Sequence, residues 1–134
     1  MTALTADRNT PHKDAEIIGF QVGANVKIFG GSLVVANAAG FAVPGLTATT
    51  VTYLGRAEES VNNLGGADGA KTVLVRRKKA FKFGNLAADL VTQADVGKSC
   101  YIVDDQTVAK TNGANTRSVA GKVLAVEPDG VWIE

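Results

Sequence analysis

Residues 73–83, VLVRRKKAFKF, set four consecutive cations inside an otherwise apolar stretch. The fold depends on whether they lie within one strand or between two. Successive side chains on a strand point to opposite faces. A single straight strand would place Val73, Val75, Arg77, Lys79, Phe81 and Phe83 on one face, and so drive Arg77 and Lys79 into a core beside two phenylalanines. Burying unpaired charge costs several kcal/mol per group. The stretch is therefore predicted to bulge or turn near Arg77–Lys78, with the long cationic stems over apolar surface and their heads in water.

On both sides of that break the chain is a series of short runs rich in Val, Thr, Ile, Phe and Tyr. They include IIGFQV, NVKIFGGSLVVA, GFAVPG, ATTVTYLGRAEESV, SCYIVDD, TVAKT, SVAGKVLAV and GVWIE. Such residues suit pleated, half-buried segments. Turn signals separate the runs, among them Gly30-Gly31, Pro44-Gly45, Asp68-Gly69, Asn112-Gly113 and Pro128-Asp129-Gly130. The spacing predicts an all-β protein, an antiparallel sandwich or barrel. Only 85–96 has helical spacing, through Leu86 and Leu90, and it is too short to be more than a connector. The C-terminal VLAVEPDGVWIE reads as strand, tight turn, strand. Val123, Ala125, Val131 and Ile133 are expected on one face and Trp132 on the other, as a lid or core residue. Residues 1–15 are polar, contain Pro11 and lack periodicity, so they read as an arm. Residues 16–134 read as one β domain, since no repeat or linker divides them.

Composition narrows the function. The net charge of +1 gives no global field to draw the chain to nucleic acid or membrane. Six of the 14 basic residues (Lys71, Arg76, Arg77, Lys78, Lys79 and Lys82) nevertheless share one short segment. The start has no apolar core of a secretory signal, and no run approaches a membrane span. One cysteine, Cys100, excludes an internal disulfide and reads as a buried, inert thiol. The one histidine, His12, lies in the arm, where nothing would hold it against a nucleophile. Asp95–Ser99 (DVGKS) ends like a phosphate loop but has Thr92 where the motif needs glycine. Asn62–Lys71 (NNLGGADGAK) reads as a flexible hairpin loop. Glu58-Glu59 reads as a solvated strand edge and Asp104-Asp105 as a turn. No catalytic, metal or cofactor site is predicted. The residues alone leave three readings of the cations open: a solvated turn, a protein contact, or a nucleic-acid platform in which Phe81 and Phe83 stack bases.

One resemblance bears on the choice. LTADRNTP (4–11), LGRAEESVNNLGGADGAKTVLVRRKKAFKF (54–83) and CYIVDDQTVAKTNGANTRSVAGKVLAVEPDGVWIE (100–134), in that order, make the chain similar to a known family. These are the small capsid decoration, or cement, proteins of tailed bacteriophages, above all of the Bordetella-phage and Mu-like groups. The family often has a glycine or apolar residue where this chain has Lys78-Lys79. The resemblance implies a jelly-roll-like β domain on the outside of the phage head, made in the bacterial host cytoplasm. It would join neighbouring copies of the major capsid protein, with no enzymatic role and no cofactor. It favours a dimer over a trimer. The contacts it implies are Leu4, Pro11 and Ile17 through the arm, and Arg76, Arg77, Lys78, Lys79 and Lys82 through charge, Arg76 and Arg77 facing capsid carboxylates.

Overall fold

A computed structural model describes residues 2–134. The break foreseen at Arg77–Lys78 divides the architecture. Before it lie β1 (Ile17–Gln21), β2 (Lys27–Ile28), β3 (Leu33–Ala36), β4 (Ala42–Pro44), β5 (Thr52–Ala57), β6 (Val61–Asn62) and β7 (Thr72–Arg76). After it come β8 (Phe81–Asn85), β9 (Ser99–Ile102), β10 (Thr107–Ala109), β11 (Val119–Glu127) and β12 (Gly130–Ile133). The first group forms a five-stranded sheet in the order β1-β7-β5-β3-β4, together with a β2–β6 ribbon. The second closes into a barrel in the order β10-β8-β12-β11-β9. The strands pair antiparallel except at the short β10–β8 contact, which is parallel, and an isolated Val22–Ala42 bridge is parallel as well. The all-β expectation holds, with sandwich and barrel features together. The connector at 85–96 folds as two 3-10 turns, Ala87–Asp89 and Gln93–Asp95.

Period two explains the division. Val73 and Val75 enter one core with Val22, Ile28, Val34, Ala42, Ala57 and Val61. Phe81 and Phe83 enter the other, inside the barrel, with Cys100, Ile102, Val108, Val123, Val131 and Ile133. Between them Lys78 adopts φ 57°, a left-handed conformation that reverses the chain. The two cores share walls. In β3, Leu33 and Val35 face the barrel core while Val34 faces the other, and all three are fully buried. Burial on both faces makes the strand a continuous apolar run, and each such side chain contributes roughly 1.5–3 kcal/mol. Polar ties join the halves as well. Leu33 N–H donates to Asp105 O (2.7 Å), Thr47 Oγ1 to Val103 O (2.8 Å) and Ser118 Oγ to Ala48 O (2.6 Å).

Gly55 permits β5 and β7 to approach. Its φ is 149°, and a Cβ there would overlap the carbonyl oxygen of Arg76. Opposite it, the β3–β5 register slips between Val34 and Val35, which leaves Leu54 as the extra residue of a bulge.

Three expectations change. A bulge between Val123 and Ala125 rotates the following residues, so Val126 packs on the barrel core and Ala125 pairs with Trp132 instead. Trp132 is consequently neither core nor lid. It lies half-buried outside the barrel, its Nε1 donating to Glu127 Oε1 (2.6 Å). The 62–71 segment is no loose hairpin loop. Asn63 is buried and donates through Nδ2 to Gly23 O (2.8 Å) and Ala67 O (3.1 Å), and Asp68 Oδ1 accepts from Ala24 N–H (2.7 Å). Nor do Glu58 and Glu59 form a free edge. Glu59 Oε1 accepts from Leu74 N–H (3.2 Å), and Leu74 O accepts from Glu58 N–H (2.9 Å), which fastens β7.

Candidate functional site

The corner between β7 and β8, with the root of the arm beside it, gathers six of the eight residues singled out in the sequence. Ile17 opens β1 at the edge of the sheet, paired opposite Arg76 and largely exposed. Arg77 N–H donates to Glu16 O (2.6 Å), so the residue at which the arm joins the domain is fixed against the turn. Leu4 and Pro11 lie farther out. Residues 2–14 are exposed and belong to no strand or helix, and Leu4 presents 73% of its surface.

Most of the cations have partners within the chain. Arg76 makes a bidentate pair with Glu58, Nε to Oε1 at 2.9 Å and Nη2 to Oε2 at 3.2 Å, and Arg56 binds the same carboxylate. The Arg76 hydrogen bond, then that of Arg56, holds the Glu58 carboxyl below the usual range. Lys79 Nζ lies 3.1 Å from Glu16 Oε1. Lys82 Nζ lies 2.7 Å from Asp129 Oδ2 and 3.7 Å from Glu127 Oε2, and 5.8 Å from the centre of the Trp132 ring. The Asp129 hydrogen bond raises the Lys82 ammonium, and Lys82 lowers Asp129 in return.

Two cations differ. Arg77 is half-buried, and its Nε is shielded from solvent without a hydrogen-bond partner. A buried donor left unpaired costs about 1–3 kcal/mol. Lys78 is exposed and forms no ion pair within 4.0 Å among the described residues. Both line a cleft of about 350 Å³ where the sheet meets the barrel, with Tyr53, Leu54, Gly55, Lys79, Phe81 and Glu134. The Tyr53 hydroxyl is also buried without a partner, and burial pushes its pKa up to about 12, so it stays protonated.

Sequence reading missed Glu58, Glu16, Asp129 and Tyr53 as members of this surface. A signal existed for the first, because Arg56 and Glu58 are two apart and so share a strand face. The other three arrive from segments 24 to 63 positions away, which no local pattern reports. Among the described residues no three His, Cys, Asp or Glu side chains gather as a metal site, and no helix is long and apolar enough to cross a membrane.

The ionisable groups set a pH profile. Glu58, Asp89, Asp95 and Asp129 all titrate below their ordinary values of 4.5 for Glu and 3.8 for Asp. A lowered carboxyl contributes stability above its unfolded pKa that is lost as the pH falls through the folded one. Burial raises Cys100 from 9.0 to about 11 and Tyr53 from 10.0 to about 12. Their contribution is complete below the unfolded pKa and lost as the pH rises through the folded one. Melting temperature measured across pH is therefore expected to plateau between these limbs. It should fall below the ordinary carboxylate range and again above about pH 9. A profile flat to pH 11 would contradict the alkaline limb.

The chain matches no protein-family model, no curated protein and no solved structure.

Proposed function

We propose that this chain is a structural decoration protein of phage heads, which binds the outside of the assembled capsid and joins neighbouring major capsid proteins. The observation that carries the reading is the arm. Residues 2–14 are exposed, belong to no strand or helix, and lead by way of Ala15 and Glu16 into the edge strand β1. A leader of this form suits ordering on a neighbouring subunit, where it adds backbone and apolar contacts through Leu4, Pro11 and Ile17. The block-by-block resemblance to cement proteins, from the arm to the last strand, points the same way. Binding only to the mature shell would stabilise that state by linkage, and many copies would multiply a modest energy per site.

The rival, a nucleic-acid module built on residues 76–83, has weaker support. Phe81 and Phe83 are 7% and 6% exposed inside the barrel core, so they offer no face for stacking bases. Arg76, Lys79 and Lys82 are paired with carboxylates of the chain itself.

Labelled protein mixed with undecorated heads should co-sediment to a fixed number of copies per head and raise the temperature at which heads break. Protein that stays in the supernatant with intact heads overturns the reading. Binding of single-stranded DNA that weakens steeply with salt would favour the rival.

A further inference from the structure

We propose that the cleft between sheet and barrel at Arg77–Lys78 is a carboxylate-binding site, filled by an acidic side chain of a protein partner. The inference deepens the head-binding reading, on which the identity of the partner rests, by locating one contact at this cleft, and it is tested without heads so that the two can fail separately.

The argument begins with charge. Along the run from Arg76 to Lys82, three cations already have a carboxylate of this chain within 4.0 Å. Arg77 and Lys78 stand side by side without one among the described residues, and both face the same cleft. The chain thus leaves two adjacent positive charges uncompensated in a concave, partly desolvated place. There a charge is attracted more strongly than on open surface.

Shape comes next. Leu54 and Gly55 form part of the wall. A volume of about 350 Å³ accepts an Asp or Glu side chain together with the backbone that bears it. The planar guanidinium matches a carboxylate in a bidentate fork, as Arg76 does with Glu58 in the neighbouring position. Lys78 adds a second cation, and Lys79 lines the cleft while its Nζ is held by Glu16. Glu134 is the one acidic residue on the lining, and it makes no ion pair within 4.0 Å among the described residues. Its negative charge opposes an incoming carboxylate.

Arg77 also explains why the cleft discriminates. Its Nε is shielded from solvent, so a ligand meets the guanidinium through its terminal nitrogens, which have no carboxylate of this chain within 4.0 Å among the described residues. A neutral ligand would leave its charge uncompensated. An anionic one supplies both acceptor and counter-charge.

The test uses the full chain and a fluorescent, end-blocked hexaglutamate peptide at low salt, with hexaglutamine as its neutral counterpart. Hexaglutamate should bind and hexaglutamine should not. Arg77→Gln should weaken binding by at least about tenfold, as truncating one partner of a desolvated charge pair does. Lys78→Gly removes a charge and suits the left-handed backbone at that position, so it keeps the fold even if Arg77→Gln does not. It should weaken binding about two- to fivefold. Lys98→Gln, on the exposed turn before β9, should change nothing. Equal binding by the wild type, Lys78→Gly and Arg77→Gln proteins overturns the proposal, as does equal binding of hexaglutamine. Acetate alone should compete only at far higher concentration. Acetate as potent per carboxylate as the peptide would overturn the assignment to a protein side chain.

Discussion

Gly55→Ala is expected to lower the melting temperature further than any other single methyl group added to this chain. Its φ of 149° already lies where L side chains rarely go, and the new Cβ would overlap the carbonyl oxygen of Arg76. Backbone strain of about 1–3 kcal/mol and overpacking of similar size give a total of roughly 2–6 kcal/mol. At about 4 °C per kcal/mol for a domain of this size, the melting point should drop by roughly 8–24 °C. The β5–β7 pairing would open first, and with it the attachment of Arg76 to Glu58. Gly40→Ala is the fitting comparison. It also has positive φ, 88°, but nothing lies within 4 Å of the added methyl. Its cost should stay near 1–2 kcal/mol. Circular-dichroism melts of the two variants decide the matter, and a Gly55→Ala protein as stable as Gly40→Ala would refute the argument.

The second large effect concerns the arm. Deleting residues 2–15 should leave the melting temperature almost unchanged, since these residues supply no member of either core. Binding to heads should nevertheless fall by about 10²-fold or more, the scale on which a second linked contact raises avidity. Glu16 should stay in the truncated chain, because its backbone oxygen and carboxylate hold the corner through Arg77 and Lys79. Co-sedimentation of truncated and full-length protein with the same heads measures the difference. Equal binding would move the contact from the arm to the body.

The turn at Arg77–Lys78 was legible in the sequence because two strong rules coincide there. Alternation fixes which residues share a face, and the energy of burying charge forbids the straight strand. The strands themselves were legible for a similar reason, each carrying β-rich residues between turn signals. What escaped was whatever depended on a partner distant in sequence. Leu33-Val34-Val35 announces a buried strand, but not that Val34 serves a different core from its neighbours. Ala125 looked like a core residue until one extra residue in the bulge handed its place to Val126. Glu59 looked like a solvated charge because its acceptor role is defined by the amide of Leu74, on a strand that returns 15 residues later. The cation run shows the same limit at the candidate site. Its composition advertised a basic patch, whereas distant Glu58, Glu16 and Asp129 reduce it to two uncompensated residues.

The corner at 77–80 also has a meaning for how the molecule could be divided. All five barrel strands lie after it and all seven others before it, so a cut there severs no strand. Yet Leu33, Val35 and Val51 of the first half complete the interior of the second. Separated, the first half would keep its own core but expose Leu33, Val35 and Val51, and the second would hold every barrel strand around an unfilled hollow. Mixed together, they would complement each other as two fragments of one cooperative body, joined by a covalent link that neither core requires.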